Sequence, residues 1–318
     1  MKRMGNLYDN ICDINHILAA YQEVCKNTKN KRKVHRFKEY KCTYISRIHN
    51  TLVNKCYQMG DYHVFTIYEP KERRIVSQNM QDKVINHLVA RYILSPALLP
   101  CLLNINVASR KNMGTAKGLL FFKNFIQKCK IQYQDFYILK CDISKFFASI
   151  NHDILKEKIK KRIKDKDALN IVFHIIDKEP TGLSIGCMTS QVLAIFYLND
   201  LDHFIKETLK VKYYVRYQDD FLLFHPSKEY LKYCLQEITI FLEKEKLILN
   251  KKTRIYKNTN NFIFLGRTKE LKYAKYRDIK RKLKKRKYLY QSKQISLNSY
   301  ITSRICYQNL QKKWQSKH

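Results

Sequence analysis

Tyr213-Tyr214-Val215-Arg216-Tyr217-Gln218-Asp219-Asp220-Phe221-Leu222-Leu223-Phe224-His225 sets two adjacent acids between two apolar runs of β-type residues. Burying two ionised carboxylates together is costly unless a cation compensates them. The least costly arrangement is a hairpin whose tight turn is Gln218-Asp219-Asp220, with the acids at its tip. An ordinary acidic turn has the same composition, because Asp is common in turns. A second stretch adds weight to the first. Residues 136–141, FYILKC, form a short apolar run that ends at Asp142. They read as a buried strand that delivers a third carboxylate at its end. Three carboxylates around one point suit hard divalent cations, because Mg2+ prefers oxygen donors and keeps positions open for substrate phosphates. Two such ions about 4 Å apart activate a hydroxyl and stabilise a leaving pyrophosphate.

The surrounding chain is basic. Its 318 residues include 62 Lys and Arg against 27 Asp and Glu, a net charge of +35. Such an excess favours polyanionic partners, and carboxylate-held metal ions inside a basic shell suit phosphoryl transfer on nucleic acid. An A/T-rich coding genome accounts for part of the charge. With 45% hydrophobic residues the chain can bury a sizeable core, which excludes wholesale disorder. No apolar run reaches about 18 residues, so no transmembrane helix and no membrane partner are expected. The first residues have a basic tip, but Asp9 and Asp13 interrupt any signal-type apolar stretch. The expected location is cytoplasmic. The ten cysteines include no C-x-x-C pair and read mostly as small buried hydrophobes in a reducing compartment.

Working outward, residues 7–60 show helical spacing around a basic patch at Lys29–Lys33. Residues 62–76 read as a hairpin broken at Pro70, with Lys71, Arg73 and Arg74 at its tip. Residues 80–102 and 115–130 return to helical spacing. Residues 152–178 are charged and helical, 181–186 form a turn, and 187–209 read as one long apolar helix. An amphipathic helix is expected at 228–247 and a short strand at 262–266. The tail, 268–318, holds 16 Lys or Arg against two acids.

In order along the chain, these residues resemble the motifs of reverse transcriptases. Phe65–Ile75 resembles the fingers hairpin. Lys140-Cys141-Asp142-Ile143-Ser144-Lys145-Phe146-Phe147 resembles the first carboxylate motif. Ile185-Gly186-Cys187-Met188-Thr189-Ser190-Gln191 lies where the family has its next motif, and Tyr217-Gln218-Asp219-Asp220 resembles its Y-x-D-D. Leu247–Thr253 and Phe264-Leu265-Gly266 resemble the two palm motifs that follow. Six elements in the right order are far more specific than any one of them.

The resemblance implies an α+β right-hand polymerase: fingers, a palm with an antiparallel sheet and helices, and a short helical thumb. The expected domains are 1–135 (N-terminal helices and fingers), 136–267 (palm, with a helical finger segment at 152–180) and 268–318 (basic thumb). No residues remain in this scheme for an RNase H, endonuclease or maturase domain.

The resemblance also implies roles. Asp142 and Asp219 would be the main metal ligands, assisted by Asp220 and the Ile143 carbonyl, and would hold two Mg2+ ions with Mn2+ as a substitute. Phe147 would exclude a ribose 2′-hydroxyl, or simply pack beside Phe146. Lys71 and Arg73 would grip the triphosphate, with Arg74 as an alternative contact. Arg110 would touch template or triphosphate, or lie in a solvated loop. Gln191 is counted among the nucleotide contacts. Lys252 would protonate pyrophosphate, or be a surface lysine. In the tail, Lys280, Arg281, Lys284 and Lys285 would follow an RNA–DNA hybrid, or form a solvated basic helix.

Most reverse transcriptases carry Gln-Gly and Ser-Pro in the motif where this chain has Ile185-Gly186 and Ser190-Gln191. The variant resembles the enzymes of diversity-generating retroelements, in which it accompanies error-prone copying at template adenines. Physically, Ile185 cannot offer the incoming nucleotide the hydrogen bond that Gln would. An antiphage-defence reverse transcriptase of bacterial or phage origin is the alternative, and an inactive RNA-binding scaffold a third reading. The partners implied are template RNA, primer or cDNA, and dNTPs. A small basic helical accessory protein or a dedicated non-coding RNA would join them.

Overall fold

The structure is a computed structural model that describes residues 3–67, 73–270 and 279–315, with side chains described for all of these except 279–282 and 310–315. The chain divides into two units, one of residues 1–64 and 76–260, the other of residues 65–75 and 261–318. The class is the expected one, α+β with antiparallel sheets.

The first unit begins with α1 (Asp9–Cys12), α2 (Ile14–Asn27), α3 (Lys31–Glu39) and α4 (Lys41–Val53). Asp13 caps α2 by accepting from the His16 N–H, and Asn30 caps α3 by accepting from the Lys33 N–H. Each cap satisfies a backbone donor that the first helical turn leaves orphaned, a contribution of about 1 kcal/mol. Ile17, Ala20, Tyr21 and Val24 form the buried stripe of α2. On α3 only Val34 and Phe37 are buried, which leaves the Lys29–Lys33 patch exposed.

The hairpin follows: β1 (His63–Ile67) and β2 (Arg73–Ser77). Then come α5 (Met80–Leu88), a π-helical stretch at Val89–Leu94 and α6 (Ser95–Leu98). Together with a 3-10 turn they make Met80–Cys101 one continuous helical run, and by length and composition it is apolar enough to cross a membrane. That corrects the expectation that no segment qualifies. The run is more than half buried inside the protein and carries Asp82, Lys83, His87 and Arg91. Core helices of this kind pass the same test.

α7 (Thr115–Tyr133) leads into β3 (Tyr137–Asp142), followed by α8 (Phe146–Ser149), α9 (His152–Lys160), α10 (Lys166–Ile176), α11 (Met188–Tyr197) and α12 (Asn199–His203). The expected single helix over 187–209 is interrupted at Leu198 and ends in a π-helical turn, Phe204–Thr208. One turn before the break, the Ile195 carbonyl accepts a hydrogen bond from the Arg216 guanidinium. The apolar pattern across 187–209 could not show that demand from another element.

β4 (Tyr213–Tyr217), β5 (Asp220–His225), α13 (Lys228–Lys244) and β6 (Arg254–Lys257) complete the unit. The sheet order is β4-β5-β3-β6, all antiparallel. β6 was not anticipated, because its residues Arg254-Ile255-Tyr256-Lys257 are mostly polar, as suits an edge strand. β5 is buried on both faces, which explains its unbroken apolar run. α13 packs on β3 and β5, while Phe122 and Phe125 of α7 lie against Phe224 at ring distances of 6.4 and 5.9 Å. Burying each such aromatic contributes about 1.5–3 kcal/mol.

The second unit contains the tip side of the hairpin, a turn around Phe264, α14 (Ile279–Gln291) and α15 (Leu297–Gln315). The strand expected at 262–266 is instead a turn. Phe264 and Arg267 exchange backbone hydrogen bonds at 2.9 Å, and Leu265 and Gly266 both take left-handed φ values, 49° and 76°. Tyr290 stacks on Tyr300 to join the two helices, with ring centroids 5.3 Å apart. The cysteines are all free, and five of the ten are buried.

Candidate active site

The site grows out of the register of three strands. Asp142, the last residue of β3, pairs with Asp220, the first residue of β5. The Asp142 carbonyl accepts from the Asn250 N–H at 2.7 Å, on the opposite side from β5. The Asp142–Asp220 pair is therefore of the non-hydrogen-bonded kind, in which opposed side chains approach most closely. Beyond Asp142, Ile143 bridges Leu249 through the Ser144 N–H and the Ile248 carbonyl at 2.8 Å. Strand alternation then turns the Ile143 N–H and carbonyl toward the β5 side. The apolar pattern predicts Asp220 at the hairpin tip. It lies instead inside β5, opposite Tyr217, so the turn proper is Gln218-Asp219.

Two like charges opposed across a sheet destabilise one another. Burial pushes the Asp220 carboxyl up to about 6, and Asp142 and Asp219 push it in the same direction. Lys140 opposes them by donating from Nζ to Asp220 Oδ1 at 2.5 Å. Lys140 and Asp142 are two residues apart on a strand and so share a face.

The turn is held from beneath. Gln218 has φ 56°, a left-handed conformation unusual for a residue with a side chain. Arg216 Nη1 donates to the Gln218 carbonyl at 3.0 Å, while its Nε and Nη2 hold Asp202. Residues 105–107 run along β4: Arg216 N–H donates to the Ile105 carbonyl and Val107 N–H to the Arg216 carbonyl, each at 3.0 Å. Gln218 Nε2 donates to Ser109 Oγ at 2.9 Å, and the Ser109 hydroxyl is 3.4 Å from Gln191 Oε1. Gln191, at the start of α11, is exposed. Arg110 anchors this loop, with Nη1 donating to the Leu103 and Asn106 carbonyls at 2.9 and 3.0 Å.

Phe147 is half-buried and meets Phe146 edge-on, with centroids 5.8 Å apart. Its carbonyl accepts from the Leu183 N–H at 2.7 Å, and this contact ties α8 to the 181–186 loop. The same loop is tied to the hairpin end, where Val76 N–H donates to the Ile185 carbonyl at 3.0 Å. Lys252 is exposed, in the turn that begins at Asn250, the residue bonded to Asp142.

The first unit thus gathers Asp142, Ile143, Asp219, Asp220, Phe147, Gln191, Arg110 and Lys252 on elements around one sheet end. Arg73 is exposed on β2 in the second unit, and Lys284 and Lys285 are exposed on α14. Lys71 and the side chains of Lys280 and Arg281 lie outside the described residues. Sequence reasoning gave no role to Lys140, Arg216 or Ser109, and named Gln218 only as a turn residue. Only Lys140 carried a signal, its i−2 spacing from Asp142.

The donor set suits a hard divalent cation, being carboxylates plus a carbonyl turned to the same side. Among the described residues, no three His, Cys, Asp or Glu side chains already converge as a closed metal group. The Lys140 ammonium takes one oxygen of Asp220 in this arrangement.

The reverse transcriptase (RNA-dependent DNA polymerase) family model matches residues 66–269. The chain is 23% identical to the COX1/OXI3 intron 1 protein of Saccharomyces cerevisiae, over 74% of this chain and 28% of that protein. It is 25% identical to the yeast intron 2 protein over 30% of this chain and 12% of that protein. The chain therefore spans less than a third of the length of these curated relatives. Among solved structures, a C-terminally truncated apo telomerase from Candida tropicalis matches 65% of this chain and 52% of its own, with TM-score 0.52 and 14% identity. Candida albicans telomerase with a fragment of telomeric RNA matches 89% and 59%, with TM-score 0.51 and 14% identity. These two likenesses show the fold, that of the reverse transcriptase and telomerase polymerases. The family match covers more than half of the sequence, so the chain belongs to the reverse transcriptase family.

Proposed function

We propose that this chain is an RNA-directed DNA polymerase that copies RNA into cDNA by two-metal phosphoryl transfer. The observation that carries the reading is the cross-strand pair Asp142–Asp220 beside the Asp219 turn, in a chain of net charge +35. Asp142, Asp219 and the Ile143 carbonyl would hold the divalent ions, with Asp220 assisting. Bound Mg2+ supplies charge stabilisation for the attacking 3′-hydroxyl and the leaving pyrophosphate. Phe147 is the side chain assigned to exclude a ribose 2′-hydroxyl, a reading supported by its half-buried ring five residues after Asp142. Lys71 and Arg73 take the triphosphate through charge-assisted hydrogen bonds. Lys252 delivers a proton to pyrophosphate. The basic thumb helices follow the RNA–DNA hybrid through its phosphates.

Within the family, the enzyme is an error-prone polymerase of the diversity-generating type. Supporting this are Ile185 and Gln191, which replace the usual Gln and Pro. Ile185 is tethered through its carbonyl and presents an apolar side chain, so mismatches are rejected with less free energy. Primer extension on a primed RNA, followed by sequencing of the cDNA, tests both parts. Product that depends on Asp219 and Asp220 and carries excess errors opposite adenine supports them. An error rate like that of a retroviral enzyme removes the second part alone.

A further inference from the structure

Lys140 and Asp142 on β3 share a face with Leu222 and Asp220 on β5. The cross-strand pairs are Lys140–Leu222 and Asp142–Asp220, so the Lys140–Asp220 contact is a diagonal. On its other side Lys140 pairs with Arg254 of β6, a like charge. The ammonium reaches toward the acids, with Nζ 2.5 Å from Asp220 Oδ1. The two side chains are 20% and 25% exposed, so water screens the pair only in part.

We propose that Lys140 is a built-in counter-cation that occupies Asp220 in the metal-free protein and yields it when divalent metal binds, which makes Lys140 the residue that sets the metal concentration this site requires. The inference rests on the metal-dependent reading above. Lysine suits the role because its ammonium is a compact point charge on a flexible four-carbon stem, able to leave without moving the strand. Two opposed carboxylates with no cation would repel one another, and a monovalent charge placed there relieves the repulsion. The same charge disfavours a divalent ion in two ways: it competes for the Asp220 oxygen, and it repels the incoming cation. Both effects raise the metal concentration needed. Lys140 is thus a positioning residue acting through Asp220.

The test is direct binding of Mn2+ to the purified full chain, followed by electron paramagnetic resonance without nucleotide or primer. Lys140→Met removes the charge and keeps the stem. Its Mn2+ dissociation constant should fall about three- to tenfold, the scale of one partly screened ion pair. Its melting temperature in EDTA should drop, and the gain on adding Mn2+ should exceed that of the unaltered protein. Lys140→Arg should restore the original affinity. Lys140→Gln, which retains donors without charge, should bind Mn2+ as tightly as Lys140→Met and serves if the latter does not fold. Unchanged or weaker Mn2+ binding in the uncharged variants would overturn the proposal. Asp142→Asn and Asp219→Asn separate the two levels of the argument. If neither weakens Mn2+ binding, the metal-site reading itself fails. If both do while the Lys140 variants change nothing, only the role of Lys140 falls.

Discussion

Arg216 grips Asp202 with both prongs of its guanidinium, Nε to Oδ1 at 2.7 Å and Nη2 to Oδ2 at 2.5 Å, and both side chains are fully buried. Tyr214 donates to the same carboxylate at 2.7 Å. The remaining guanidinium nitrogen supports the Gln218 carbonyl, so one buried pair links α12 to the turn that carries Asp219. Deleting one partner of a buried pair leaves an uncompensated charge and costs about 3–5 kcal/mol. Arg216→Met should lose that much in a denaturant titration. Arg216→Lys should lose primer extension as well, since an ammonium cannot span both carboxylate oxygens and the Gln218 carbonyl.

Gly182 approaches the backbone of α8. Its φ is 69°, and a Cβ there would stand 2.5 Å from the Phe147 carbonyl oxygen and 2.6 Å from the Ala148 Cα. Neither atom belongs to a flexible side chain, so neither can swing away. Gly182→Ala should cost about 2–5 kcal/mol from strain and overlap together. Because the displaced element carries Phe147, its preference for dNTP over rNTP should also narrow, measured as the ratio of kcat/KM values.

His87 predicts a pH dependence of stability. Burial holds its imidazole below the ordinary value of about 6.5, with Arg91 adding to the effect and Glu23 opposing it. The unfolded chain therefore binds this proton more readily than the folded one. Stability from this group is complete above about pH 6.5 and is lost as pH falls through the depressed folded value. Between about pH 6.5 and 5, the melting temperature should fall less steeply in His87→Gln than in the unaltered protein. Equal slopes would show that His87 does not contribute.

Ile185→Gln restores a polar side chain beside the expected nucleotide position. A single recovered hydrogen bond is worth about 1 kcal/mol, so errors opposite template adenine should fall roughly three- to tenfold. Sequencing cDNA from both proteins measures this. An unchanged error spectrum would remove Ile185 from the account of fidelity.

The candidate carboxylates were more legible than the support beneath them. Asp142 ends one apolar run, Asp220 begins another and Asp219 stands beside Asp220, and local pattern alone exposes that. The hairpins and most helices were legible for the same reason, since their signals span a few consecutive residues. The ties between elements were not. Arg216 and Asp202 are 14 residues apart, and Lys140 and Asp220 are 80 apart, so only the fold brings them together. The break at Leu198 was hidden because the apolar pattern runs through it. Phe262–Gly266 looked like a strand by composition, yet left-handed backbone at Leu265 and Gly266 closes it into a turn. The placement of Asp220 within β5 rather than at the tip is a one-residue matter of register, which pattern reading does not resolve.

The most direct measurement is primer extension with purified protein, Mg2+, dNTPs and a primed RNA, beside the Asp219→Ala, Asp220→Ala double variant. The account predicts cDNA from the unaltered protein and a loss on the order of a thousandfold or more in the variant, because removing the ligands removes the metal-based stabilisation. Equal extension by the two proteins would contradict the assignment of the acids. No extension by the unaltered protein, even with total RNA from its native host, would contradict the polymerase reading itself.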